Sequence, residues 1–380
     1  MHAVIVMSDT GGGHRALSRA IAAGIERELG GRATIVDPFA TTERGPVRRL
    51  MRLYGPVIRT APSLYGLAFA LTDHPRRYRW LVDRVAEPLT EQLEQIIVAE
   101  RPDAVVFAHP LAVQPGMNAL DRIASRLGQR PADATMLAEL VTIHTSWIDR
   151  RVGRYFAATD EVVAALRRAG IGEERLALTG LPVGPLFGRI VEPVPDLRRR
   201  LRLIPDRTTA LLLAGGEGSG PVVETVTRLA RALPDLQQVV VCGRNAVLRQ
   251  RLEEYCLPPE VRILGFVENM PELMHAADFV ITKGGPQSIA EGLAAGKPMI
   301  VTHLLPGQEQ GNGAFVVRRG AGYLALTVPD VLAATRRIVQ DPPTRERLAA
   351  AARAAGCPDA AGRVARELAA LVGRAAAART

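Results

Sequence analysis

Short apolar runs alternate along this chain with longer stretches in which apolar positions recur at helical spacing, and that rhythm predicts alternating strands and helices. Val4 to Met7 reads as a strand, His14 to Leu29 as a helix, and Ala33 to Val36 as the next strand. The rhythm breaks between residues 38 and 85. It resumes with helix 87–100, a strand at Ala104 to Phe107, helix 112–127, and strands at Leu137 to Val141 and Arg154 to Ala157. Helix 160–169 and a strand at Leu176 to Thr179 close this half. The segment 181–196 is rich in proline and has no strong period, so it reads as a linker. A second series follows: a strand at Ala210 to Leu213, helix 220–232, a strand at Gln238 to Val241, and strands near Val261, Phe279 and Met299, each followed by a helix. Pro343 to Arg379 reads as helical.

Strands alternating with helices imply a parallel sheet covered on both faces. The predicted class is therefore α/β: two facing, Rossmann-like, doubly wound domains at 1–180 and 197–380, with a cleft between them. Ligands of such sheets bind beyond the carboxyl ends of the strands.

Composition narrows the picture only a little. A length of 380 residues fits roughly two domains. No apolar run reaches the ~20 residues of a membrane span. The first apolar run lacks a basic flank and reads as a strand, not a signal peptide. Cys242, Cys256 and Cys357 are too scattered for a disulfide framework or a metal site, which suits a reducing cytoplasm. The net charge of +9 calls for an acidic partner, nucleic acid or anionic membrane, with a coding bias toward arginine as the plain alternative. Aromatic content of 4% and the lack of a nucleic-acid motif argue against base-stacking recognition. In the irregular region 44–85, Arg44, Arg48, Arg49, Arg52, Arg59, Arg76, Arg77, Arg79 and Arg84 interleave with Leu, Met, Tyr, Phe and Trp80. That mixture suits a segment lying on anionic lipid; an ordinary helical insert with a solvated basic face is the other reading.

The candidate chemistry concentrates after strands. Residues 282–312 run from an apolar strand into a glycine-proline turn (Gly284, Gly285, Pro286) and a helix opening at Gln287 and Ser288. Such a corner points backbone N–H groups and a helix dipole at one spot, as a diphosphate needs. Glu291 has the reach to hold a ribose diol, and Gln308 and Glu309 suit sugar hydroxyls. In series these make a nucleotide-sugar site. Gly215, Gly216, Gly218 and Gly220 repeat the corner ahead of Pro221, with no Lys-Ser/Thr to make a Walker loop. Arg244 stands at a strand end within reach of a base or phosphate, or as a solvated arginine, and Phe266 with Val267 suits the faces of a planar base.

In the first half, Gly11, Gly12 and Gly13 precede His14, which reads either as a general base for a hydroxyl or as a capping or packing histidine. His109 and His144 also follow strands, and Glu139 and Trp147 belong to the same region as His144. A buried tryptophan there is core, whereas an exposed one beside basic residues is an interfacial anchor.

The motifs SDTGGGHRA, AHPL, TIHTSW, GGEGSGP, CGRN, GFVENM, ITKGGPQSIAEGLAAGKP and PGQEQGN together resemble those of monogalactosyldiacylglycerol synthases and bacterial processive diacylglycerol glucosyltransferases. The resemblance runs from residue 4 to about 325 and extends to the N-acetylglucosaminyltransferase that makes lipid II. It implies the GT-B fold, with the donor on the domain 197–380 and the acceptor and membrane on the domain 1–180. It further implies an inverting, metal-independent transfer of hexose from a UDP-sugar to diacylglycerol, by a cytoplasmic enzyme seated peripherally on the inner face of the membrane.

By motif, His14 matches the general base, and Glu139 stands where the plant enzymes carry Asp. Gly216 to Gly220 (with Glu217) and Gly284 to Ser288 match the diphosphate loops, Glu291 the ribose carboxylate, and Gln308 and Glu309 the sugar-hydroxyl ligands. Gly12, Gly13, His109, His144 and Trp147 fall on the acceptor side. Transfer to another lipid or a soluble acceptor, and nucleotide-sugar binding without turnover, are the alternatives.

Overall fold

The computed structural model describes the chain apart from residues 10–11, 42–54, 59, 215–220 and 378–380. It forms two compact units, one of Met1–Gly184, Pro306–Gln308 and Asp359–Thr380, the other of Pro185–Leu305 and Glu309–Pro358.

The first unit holds a six-stranded parallel sheet in the order β2-β1-β3-β4-β5-β6. Its strands are β1 (His2–Val6), β2 (Arg32–Val36), β3 (Ala104–Phe107), β4 (Ala132–Met136), β5 (Arg154–Ala157) and β6 (Leu176–Leu178). Their near-continuous apolar composition is what a sheet covered on both faces demands, and Ala3 to Val6 and Ala104 to Phe107 are fully buried. Helices Gly13–Leu29, Glu87–Glu100, Pro110–Leu127 and Asp160–Arg168 carry the chain between strands.

The second unit repeats the plan in the order β12-β11-β10-β7-β8-β9, all parallel. Here the strands are β7 (Thr209–Leu213), β8 (Gln237–Val241), β9 (Val261–Leu264), β10 (Phe279–Thr282), β11 (Met299–Val301) and β12 (Gly322–Leu324). Both units are doubly wound, as the alternating pattern predicts.

Three readings of the sequence need correction. The strand expected at Leu137 to Val141 lies earlier, at Ala132–Met136. Asp133 disguised it by interrupting the apolar run. In the fold that carboxylate is buried but satisfied: Oδ2 accepts from Gly153 N at 2.7 Å and Oδ1 is bound by Arg130. Strand β12 is only three residues long and begins with glycine, too short for its apolar pattern to mark it in the sequence. Finally, the stretch 343–379 is two helices, Pro342–Ala355 and Ala360–Ala377, and the second belongs to the first unit and not to the 197–380 domain. It packs there through its buried Ala360, Ala361, Val364, Ala365 and Leu368, with Ala361 so close to helix Gly13–Leu29 that a Cβ on Gly24 would lie 2.5 Å from its carbonyl oxygen. Flanking ion pairs run from Arg154 to Glu367 at 2.6 Å and from Arg366 to Glu28 at 2.5 Å.

In each sheet the strand order reverses once. The reversal lies between β1 and β3 in the first unit and between β7 and β10 in the second. The loops leaving those strand pairs diverge, opening a crevice at the carboxyl ends where doubly wound sheets take their ligands. No helix among the described residues is long and apolar enough to cross a membrane.

Candidate functional site

In the first unit the loops after β1 and β3 bring two histidines together. Gly12 has φ 82°, a left-handed turn that opens directly into helix Gly13–Leu29 without a side-chain cap. His14, on the first turn, directs Nδ1 to the carbonyl oxygen of Ala108 at 2.7 Å. A carbonyl only accepts, so Nδ1 carries the proton and Nε2 is left as a lone-pair acceptor. Burial lowers the His14 pKa below the usual imidazole range, partly opposed by that carbonyl. The ring of His109 meets it edge-on, with centroids 4.7 Å apart. Burial, with His14 second, pushes the His109 pKa well below the usual imidazole value. Trp147 lies 6.5 Å from His14 but is only 1% exposed. Of its two readings the core one holds: Trp147 is packing behind the site and not an interfacial anchor.

His144 serves a joint between elements. Its Nδ1 accepts from Ser146 N at 3.1 Å, and its other ring nitrogen lies 3.2 Å from the Thr72 hydroxyl. Asp73 then accepts from Thr145 N at 2.8 Å. These bonds pin the end of helix Pro62–Thr72, whose Phe69 ring also packs on His144 at 4.6 Å. Glu139 is buried and has a different set of partners. Its Oε1 accepts from Gln308 Nε2 at 2.8 Å, and Gln308 Oε1 accepts from the Tyr65 hydroxyl at 2.9 Å. Gly307, at φ 82°, makes this possible, because a Cβ there would sit 2.8 Å from the Phe69 ring. Tyr65, Thr72 and Asp73 carried no motif, and only the fold shows them beside the expected residues.

In the second unit the loop after β10 builds the other crevice. Gly284 N donates to the His303 carbonyl at 2.7 Å, and Gly284 O accepts from Asn312 Nδ2 at 2.7 Å. Gly284 is thus a packing residue whose amide is spent, which corrects its expected role as a phosphate donor. Gly285 caps helix Pro286–Ala294 without a side chain, with proline at the helix start. The first-turn amides of Gln287 and Ser288 have no acceptor within the helix, as at any helix start.

Glu291, one turn in, is buried and its pKa is raised to about 7 by desolvation, with Gln287 Nε2 donating to it at 3.0 Å as the only opposing influence. Glu309 is held at both oxygens, Oε1 by Lys283 Nζ at 2.8 Å and Oε2 by Leu305 N at 2.9 Å. Lys283 gave no signal in the sequence beyond its place at the strand end. The expected pair Gln308 and Glu309 therefore divides, with the partners of Gln308 in the first unit and those of Glu309 in the second.

Across the switch point, Leu213, Ala214, Pro221, Thr225, Ile281 and Thr302 line a hollow. The exposed Arg244 lies over the Phe266 ring, 5.3 Å from its centroid, with Val267 half-buried beside it. Gly216, Glu217 and Gly218 fall outside the described residues. Among those described, no cluster of three His, Cys, Asp or Glu side chains is disposed to hold a metal ion.

Comparison with known proteins decides the family. Residues 14–183 match the family described as "Monogalactosyldiacylglycerol (MGDG) synthase", and 209–364 match "Glycosyltransferase family 28 C-terminal domain". Monogalactosyldiacylglycerol synthase 2, chloroplastic, from Arabidopsis thaliana is 33% identical over 345 residues, covering 88% of this chain and 72% of that protein. The chain belongs to the monogalactosyldiacylglycerol synthase family. Another member, the probable chloroplastic MGDG synthase of Glycine max, is 32% identical over 86% of this chain, which spans 63% of that relative's length. Among solved structures, the S. aureus MnaA–UDP co-structure superposes with a TM-score of 0.62 at 15% identity, covering 95% of this chain and 93% of that one. At that identity the likeness speaks for the fold, the two Rossmann-like domains of the GT-B class.

Proposed function

We propose that this member of the MGDG synthase family is an inverting glycosyltransferase that moves a hexose from a UDP-sugar to the free hydroxyl of diacylglycerol, at a membrane surface and without a metal. The observation that carries the reading is the tautomer of His14. Nδ1–H is committed to Ala108, and burial keeps the ring neutral, so Nε2 is a ready base. Nε2 takes the hydroxyl proton as the oxygen bonds to the anomeric carbon. The bond from that carbon to the diphosphate oxygen breaks, and UDP leaves with the electron pair.

On the donor side, the start of helix Pro286–Ala294 suits the diphosphate, Glu291 the ribose diol, and Arg244 with Phe266 the uracil. Glu139 and Gln308 serve the acceptor half. Helices Pro62–Thr72 and Pro75–Val85 support a lipid acceptor: Leu64, Leu67 and Leu71 form an exposed stripe, and Arg76, Arg77, Arg79, Trp80 and Arg84 are exposed. Such a surface suits peripheral attachment to anionic lipid.

The test is the purified protein with UDP-glucose or UDP-galactose and diacylglycerol in anionic vesicles, read by lipid mass spectrometry. A hexosyl-diacylglycerol product is expected, and the preferred donor names the sugar. UDP release without a glycolipid refutes the acceptor, and no release with either donor refutes the transferase reading.

A further inference from the structure

We propose that Lys283 is a ligand of the donor's diphosphate that simultaneously fixes Glu309, so that one ammonium couples the charge of the leaving group to the residue reading the sugar. This rests on the UDP-sugar reading above and adds a residue to it.

Lys283 is the first residue after β10, one of the two strands that flank the second unit's switch point. Its side chain turns to the helix start: a Cβ built on Gly285 would lie 3.5 Å from Lys283 Cε, 3.9 Å from Nζ and 3.8 Å from Glu309 Oε1. The pair is therefore adjacent to the helix cap assigned above to the diphosphate. Its two members differ in access, for the Lys283 side chain is 28% exposed and that of Glu309 only 5%. The carboxylate is enclosed while the ammonium keeps an open side.

Stoichiometry gives that open side a use. An ammonium has three donors, and the Glu309 bond at 2.8 Å takes one of them. A helix N-terminus supplies only about half a positive charge, whereas a nucleoside diphosphate leaves with between two and three negative ones. A side-chain cation at the same spot makes up part of the difference, by the logic of preorganised charge aimed where charge develops. His303 also lies in this cluster, where burial lowers its pKa and Lys283 lowers it further against Glu309, so its neutral form adds little charge. For Glu309, bonds from Lys283 and Leu305 N leave one lone pair on each oxygen, enough for a sugar hydroxyl pair.

The experiment measures UDP, UMP and UDP-glucose binding to the full chain by calorimetry. Lys283→Met is expected to weaken UDP by about tenfold or more and UMP by only about twofold, since a charge-assisted contact to the second phosphate is lost. Lys283→Arg should restore UDP binding to within about threefold. Glu309→Gln, which keeps the Lys283 ammonium, should change UDP binding far less than Lys283→Met does and abolish the advantage of UDP-glucose over it. If Lys283→Met strands the buried Glu309 and fails to fold, the double variant Lys283→Met/Glu309→Gln removes that charge and should show the same UDP-specific loss against Glu309→Gln. Variants that bind UDP as their parents do, or that lose UDP and UMP equally, overturn the proposal while the UDP-sugar reading stands. A wild-type protein that binds no UDP overturns both.

Discussion

Helix Pro62–Thr72 is apolar on nearly every side yet buries no residue fully, and that makes a sharp prediction about where it works. Leu64, Leu67 and Leu71 are 56%, 56% and 54% exposed and fall on one face, whereas Tyr65, Phe69 and Thr72 on the other face contact Gln308 and His144. Fully burying a leucine side chain is worth about 1.5–3 kcal/mol. Roughly half of each of these three remains to be buried, so sinking the stripe into a bilayer should contribute about 2–4 kcal/mol. Replacing all three with serine should therefore weaken vesicle binding by about 30- to 1000-fold. The assay is cosedimentation with vesicles containing anionic phospholipid, at low and high salt. The wild-type protein should bind and weaken with salt, through the exposed Arg76, Arg77, Arg79 and Arg84. The triple variant should lose binding at both salts but keep its UDP affinity, because all three leucines belong to the first unit and the proposed donor residues to the second. Wild-type binding by the triple variant, or failure of the wild type to bind at low salt, refutes the reasoning.

His14→Ala should lose about 10²–10⁴-fold in turnover with UDP binding kept, and the acid limb of the wild-type rate profile should lie below pH 6.5, following the lowered His14 pKa; near-normal turnover would end the base assignment. Glu291 makes a stability prediction with a definite sign. Its folded pKa of about 7 stands above the 4.5 of an ordinary glutamate, so its contribution to stability is complete below the lower value and is lost as pH rises through about 7. Glu291→Gln should thus flatten that part of the melting-temperature profile, raise Tm near pH 8, and weaken UDP binding by about tenfold through the lost ribose contact. Tyr65→Phe should loosen Gln308 and lower activity several-fold without changing UDP affinity, which a kcat and binding comparison reads directly.

The framework was legible because each buried strand is a run of Val, Ile, Leu, Ala or Phe bounded by polar turns, and each helix a periodic stretch. Where buried polar groups carry a strand, that rule fails. Asp133 in β4 is tolerated only because Arg130 and Gly153 satisfy it, and those bonds are invisible in a window of sequence. The return of helix Ala360–Ala377 to the first unit was equally illegible, since it depends on Ala361, Val364, Ala365 and Leu368 being buried there and on Ala361 closing on Gly24, far away in the chain.

The same division runs through the candidate site. Positions after strand ends were readable, because the topology forces loops there to line the crevice, and His14, His109, Glu291 and Glu309 stand at those ends. Which atoms remain available to a ligand was not readable. Gly284 looks like a phosphate donor in sequence, yet its amide is committed to His303, while Lys283 beside it gave no signal and holds the exposed charge. Gln308 and Glu309 are neighbours in the chain and look like one device in sequence, but their partners lie 169 and 26 positions away. A motif gives residue types at a spacing. Whether each residue binds, positions or packs is decided by how many of its donors and acceptors the fold has already used.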